Sequence, residues 1–191
     1  MKYLLLILSI ISATAFRDPA DNTRVVTVSK ESKITIQGSS NVNTFDLDIK
    51  EYTGRDTLVI FQKGNSNSLP ITFTKGLLHV PVNDFKNGNP FLTKDFKKVV
   101  KANKYPHIVM NFRNMNAYPC NNGQKLPGVA EVEINVAGKS KIFRINVLAC
   151  RTNEVVYLHG NARINFSDFG LSAPDKVFGF ITVKDQLQVN F

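Results

Sequence analysis

"VAEVEINVAGKSKIFRINVLA", residues 129–149, decides the fold. Val132, Ile134 and Val136 alternate with Glu131, Glu133 and Asn135; Phe143, Ile145 and Val147 alternate with Arg144 and Asn146. A side-chain period of two belongs to a strand with one face in a core and the other in water. Ala137-Gly138-Lys139 interrupts the two runs, as a tight hairpin turn does.

The same period extends outward in both directions. Upstream lie "SKITIQG" (32–38), "NTFDLDI" (43–49), "DTLVIFQ" (56–62), "LLHVPVN" (77–83) and "HIVMNFR" (107–113). Downstream lie "VVYLHGNARINF" (155–166) and "FGFITVKDQLQVNF" (178–191). Gly and Asn punctuate the gaps, at Gly54, Gly64-Asn65, Gly76 and Asn121-Asn122-Gly123. One segment, "NPFLTKDFKKVVKANKYP" (89–106), changes period. Leu92, Phe96, Val99 and Val100 recur at helical spacing, with Lys94, Lys97, Lys98, Lys101 and Lys104 opposite. Asn89 suits the N-cap, Pro90 the first turn and Pro106 the stop, so an amphipathic helix is expected over about 90–104.

About eight antiparallel strands with one helix and no dividing linker make an all-β chain, expected to close into a barrel. Parity assigns the inside. Phe45, Leu47 and Ile49 share a face, as do Ile108, Met110 and Phe112, and as do Leu158, Ala162, Ile164 and Phe166. Ile181, Val183, Leu187 and Val189 form the last such set. Polar residues occupy the alternate positions, so the inside is apolar and the outside wet, the reverse of a porin. Parity leaves open whether side chains or a ligand fill the middle.

The N-terminus speaks to compartment. A basic start at Lys2, an apolar run from Tyr3 to Ile11 and small residues at Ala13 and Ala15 read as a signal peptide over residues 1–15. The apolar run is shorter than the ~20 residues of a membrane helix. The remainder, 16–191, is expected to be one domain, periplasmic or secreted. Its net charge is +8, the chain's +9 less Lys2, which suits anionic lipid surfaces or ligands. Lys97, Lys98 and Lys101 are the candidate headgroup or membrane contacts. Nucleic acid fits poorly, because the basic residues are not interleaved with exposed aromatics.

Catalytic chemistry finds little support. "SDFGL" (167–171) contains the Asp-Phe-Gly of a kinase magnesium loop, but no glycine-rich phosphate loop or catalytic Asp precedes Asp168. The stretch from Ser167 to Asp175 reads instead as a polar bend between the last two strands. There is no GxSxG elbow. His79, His107 and His159 sit on separate strands without metal-ligand spacing. No catalytic residue, no metal and no cofactor are expected. Cys120 follows strand 107–113 and Cys150 closes strand 141–149. The intervening hairpin returns the chain to the same barrel end, so a structural disulfide is expected.

Five stretches carry a family resemblance: "SKITIQGSSNVNTFDLDI", "ANKYPHIVMNF", "GVAEVEINVAGKSK", "INFSDFGL" and "VKDQLQVNF". A small-residue-Asn-Val turn, a Lys-Tyr-Pro bend after a helix, a Gly hairpin, an Asp-Phe-Gly bend and an Asp-bearing last strand follow in this order. Together they resemble the YceI-like family over about residues 28–191. The resemblance implies a lipocalin-like extended antiparallel β-barrel, exported, whose lumen holds a long isoprenoid chain or similar lipid. On that reading Phe45, Leu47, Ile108, Met110, Phe112, Phe143, Ile145, Val147, Ile164 and Phe166 are the candidate lumen contacts. Gly170 is expected to take a backbone angle that other residues resist. The competing expectation is a ligand-free interaction or stress-response domain with a packed core. A hydrolase or isomerase acting inside the lumen ranks last, since the inward positions are apolar.

Overall fold

The computed structural model describes residues 22–62, 70–117, 124–152, 155–176 and 181–191. In chain order the elements are β1 (Asn22–Thr27), β2 (Ile34–Ser39), β3 (Thr44–Ile49), β4 (Thr57–Gln62), β5 (Ile71–Lys75) and β6 (Leu77–Pro81). Then follow α1 (Pro90–Val99), β7 (His107–Met115), β8 (Leu126–Val136), β9 (Lys139–Thr152) and β10 (Val155–Asn165). The short pair β11 (Asp175–Lys176) and β12 (Ile181–Thr182) precedes β13 (Gln186–Asn190).

The β8–β9 hairpin is the one expected. Ala137 and Gly138 both have positive φ, 52° and 82°, as a two-residue turn matched to strand twist requires. The resulting register runs without a break from Val136↔Lys139 to Leu126↔Ala149. It buries Ala130, Val132 and Ile134 with Ile145 and Val147. Eight strands, β6-β7-β8-β9-β10-β13-β2-β3, follow one another by antiparallel pairing and curl into the barrel. Beyond β7 the sheet continues through β5 and β4 to β1.

β5 and β6 lie end to end along β7. Gly76 sits at their joint, where its carbonyl accepts from Phe112 N at 2.9 Å. A Cβ there would run into the Phe112 carbonyl, so the close approach demands glycine.

The barrel is closed differently from the way it is walled. Among the described residues, β3 meets no strand on its outer edge except at one bridge, where Asp48 and Lys86 exchange backbone hydrogen bonds of 2.9 and 3.0 Å. Side chains complete this seam. The Tyr52 hydroxyl donates to the carbonyl of His79 on β6 at 3.0 Å, and also contacts Asp56. Asp56 accepts from His79 N at 2.6 Å and pairs with the His79 ring at 2.9 Å. Thr53 donates to Asp84, and Asn87 to the Asp46 carbonyl, each at 2.5 Å.

Several expectations are corrected. The helix stops at Val99, not near 104, because Lys101 adopts a left-handed φ of 55°. Ala102 N then bonds Lys97 O and Lys101 N bonds Lys98 O, the pattern of a Schellman motif. Glycine normally announces that ending; lysine hides it. The start is as read, with Asn89 accepting from Phe91 N at 3.0 Å and Pro90 in the first turn. β1 and β5 have too few alternating apolar residues to be seen in the sequence. The expected last strand from 178 divides into β12 and β13, with a bend at Asp185 between them. Cys150 is buried on β9; Cys120 and the signal-peptide segment lie outside the described residues.

Candidate ligand-binding lumen

Inside the barrel is a narrow cavity of about 70 Å3. By that measure one water-sized sphere takes roughly 10–15 Å3, so the space is a slot. Asn165 is the single polar residue among the described residues of its lining, and the Asn165 side chain is engaged in capping the turn that follows it. Elsewhere the walls are aliphatic and aromatic, a surface that gains nothing from admitting water.

Of the ten candidate lumen contacts, Ile108, Met110, Ile145, Ile164 and Phe166 line the cavity. Phe45, Leu47, Phe112, Phe143 and Val147 do not. They pack against other core side chains instead. The Phe45 ring packs against Gly38, Phe112 meets Phe73 at a tilt and Phe191 edge-on, with centroids 5.5 and 6.4 Å away, and Phe143 meets Phe169 at 6.1 Å. Leu47 and Val147 are each 2 % exposed.

Parity also places Ile134, Val136, Ala162, Leu187 and Val189 inward, and these line the cavity too. Among the lining residues that parity did not name, Ile34 and Ile36 belong to β2 and Val80 to β6. Phe85, Phe96 and Val100 come from α1 and the chain leading to it. The Phe85 and Phe96 rings meet edge-on at 5.3 Å, so the helix covers the lumen with its apolar side. Phe169 and Leu171 come from the bend read as polar. That reading is corrected. Residues 166–169 form a 3-10 turn in which Ser167 is exposed while Phe166 and Phe169, with Leu171 just beyond, are buried.

The Asp-Phe-Gly turn shows why its residues matter. Asn165 and Asp168 cap it reciprocally, and it ends at Gly170 with φ 61° and ψ 32°, as expected. Lys141 donates to Asp168 at 2.6 Å. Burial opposes the charge on Asp168, but hydrogen bonds from Lys141 and the Asn165 N–H, with the ammonium charge, outweigh it and hold the carboxyl below its ordinary value. Ser167 N and Oγ both donate to Asp185, in the bend that precedes β13. Asn41, in the small-residue-Asn-Val turn, exchanges hydrogen bonds with Thr182 backbone. Tyr105 of the Lys-Tyr-Pro bend lies against Gly138. The separate sequence motifs are therefore one another's contacts at the ends of the strands.

These contacts reveal a basic rim. Lys139 and Lys141 share the inward parity of Phe143, but at the strand end their ammonium groups reach the turn 166–170. Lys104 lies over the Tyr105 ring at 5.4 Å. Lys98 and Lys101 are exposed, while Lys97 donates to the Asn83 carbonyl at 3.3 Å. The histidines stand apart from the lumen: His79 and His107 meet edge-on at 6.1 Å and His159 is exposed on β10. Among the described residues no cluster of three or more His, Cys, Asp or Glu is placed to hold a metal.

Residues 26–191 match the model of the YceI-like domain. The chain belongs to that family. The YceI-like fold is also found in solved structures. A polyisoprenoid-binding domain from Saccharophagus degradans, implicated in plant cell wall breakdown, superposes with a TM-score of 0.59 at 9 % identity, over 87 % of this chain and 94 % of that one. Burkholderia cenocepacia BcnA gives 0.52 at 15 % identity, over 83 % and 93 %. A mutant Campylobacter jejuni YCEI protein gives 0.52 at 16 % identity, over 100 % and 95 %. At these identities the likeness is one of fold. No curated protein matches the sequence significantly.

Proposed function

We propose that this YceI-like domain binds the hydrocarbon chain of an isoprenoid or similar long-chain lipid in its lumen, and carries or stores it without catalysis. We further propose that residues 1–15 direct export, that 16–191 act as one unit in the periplasm or outside the cell, and that Cys120 and Cys150 pair there. One observation carries the lipid reading: the cavity is lined almost wholly by apolar side chains, with its one polar group already engaged. Burial of apolar surface at about 25 cal/mol per Å2 holds such a chain with no covalent step. A relative of the same fold is described as polyisoprenoid-binding.

The slot of about 70 Å3 is too small for a long prenyl chain as it stands. Loading therefore requires the aromatic lining, chiefly Phe85, Phe96, Phe166 and Phe169, to turn aside. The same small volume favours a second reading, a ligand-free interaction domain with a packed core. Organic extraction of the purified protein, followed by mass spectrometry, separates the two. A co-purified prenyl or long-chain lipid, lost when Ala162→Leu fills the lumen, is the expected result. Repeated recovery of no lipid from several expression hosts would establish the packed-core reading instead.

A further inference from the structure

The helix that covers the lumen has a second face. Phe91, in the first turn of α1, is 75 % exposed, the highest value among the exposed large apolar side chains. Phe91, Lys94 and Lys98 recur at i, i+3 and i+7, which places them in one stripe along the helix. Lys101 follows just beyond the helix end and is exposed. The ammonium groups of Lys94, Lys98 and Lys101 form no ion pair with a described residue. Asp95, the helix's one carboxylate, lies on the flank and is half-buried. The opposite side of the same helix places Phe96 and Val100 in the cavity lining.

We infer that the outer face of α1 docks on an anionic lipid bilayer, with Phe91 inserted among the acyl chains and Lys94, Lys98 and Lys101 on the headgroups. An exposed aromatic flanked by unpaired lysines is the pattern of a helix lying in a membrane interface. Ten residues are too few to cross a bilayer, so the helix lies in its plane. The stripe is convex and carries one aromatic, so it suits a fluid anionic plane, not the stacked bases of a nucleic acid.

Docking would place the cover of the lumen against the membrane. Among the described residues, α1 is tied to the preceding chain by the Phe85–Phe96 contact, by Thr93 accepting from Asn87 N, and by Lys97 donating to Asn83 O. The docking itself does not depend on what the lumen holds; only the benefit to loading rests on the lipid reading above.

The chain contains no Trp, so Phe91→Trp supplies a single fluorescent reporter on the stripe. Its emission is expected to shift to the blue with vesicles of phosphatidylcholine and phosphatidylglycerol, and to stay unshifted with phosphatidylcholine alone. In co-sedimentation, binding to the anionic vesicles should weaken with added salt. It should fall roughly tenfold in Phe91→Ser and at least as far in Lys94→Glu/Lys98→Glu. No binding by the unaltered protein, or equal binding by these variants with unchanged circular dichroism, overturns the inference. So does equal, Phe91-dependent binding to soluble polyglutamate, which would mark an acidic protein partner. Extraction of lipid from Phe91→Ser keeps the two ideas apart: docking lost with lumen content unchanged supports the docking face whatever occupies the lumen.

Discussion

The wall from β7 to β10 and the seam between β3 and the chain after β6 close the same barrel by different means. Within the wall the β8–β9 ladder pairs every residue from Leu126↔Ala149 to Val136↔Lys139, so that register does not hang on any one side chain. Among the described residues the seam has a single backbone bridge, Asp48–Lys86, and it depends on Tyr52, Asp56 and His79 to hold the edges together. A ladder spreads its stabilisation over the backbone; a clasp concentrates it in a few groups, each of which is costly to lose.

The largest test of that contrast is Tyr52→Ala. Tyr52 is 2 % exposed, and truncating a buried aromatic costs about 3–5 kcal/mol. Urea unfolding should show this as a much lower midpoint; a loss no greater than that of an exposed wall residue would dissolve the contrast. Asp56→Ala comes next. It leaves the His79 N–H without its acceptor and takes from the Tyr52 hydroxyl one of its two partners, an expected cost of about 1–3 kcal/mol by the same measurement.

The pH dependence sharpens the comparison further. Burial works against the charge on Asp56, but hydrogen bonds from the Tyr52 hydroxyl and from the His79 ring and N–H overcome it and hold its carboxyl below the usual 3.8. A lowered carboxyl stabilises the fold above its ordinary value and loses that contribution as pH falls through the folded value. The stability gap between the unaltered protein and Asp56→Asn should therefore narrow as pH falls below about 3.8. Tyr52 is pushed up, first by burial and then by its bond to Asp56 and the charges of Asp56 and Asp84. Its contribution is present below its ordinary 10.0 and fades as pH rises toward the folded value. A gap that widens in acid would contradict the assignment of the clasp to an ionised Asp56.

The smallest effect belongs to the wall. Arg113 donates to Glu133 at 3.0 Å across β7 and β8, with both side chains partly in water. Arg113→Ala should cost less than about 1 kcal/mol. A loss as large as that of Asp56→Ala would show that the wall also relies on individual side chains.

Legibility in the sequence follows the same division. The hairpin at Ala137-Gly138, the start of α1 at Asn89-Pro90 and the buried parity of Val132, Ile134 and Ile145 were readable, because each depends on neighbours within a few residues. The end of α1 was not, since Lys101 takes a conformation that glycine would have advertised. Phe169 and Leu171 escaped because a 3-10 turn does not follow a two-residue period. Lys139 and Lys141 escaped for another reason: their parity points inward, but at a strand end an inward side chain reaches the rim.

Alternation along the chain determined by itself which face of each strand is dry, because successive side chains on extended backbone point to opposite sides. That sufficed for an apolar-lined barrel with an amphipathic helix. The tertiary structure alone decided that Ile108 and Ile145 reach the cavity while Phe45 and Val147 do not, and that α1 turns Phe96 inward and Phe91 outward. Those outcomes depend on how far the sheet curls before Asp48 meets Lys86. Curl sums twist and packing over strands distant in sequence, which no local period records.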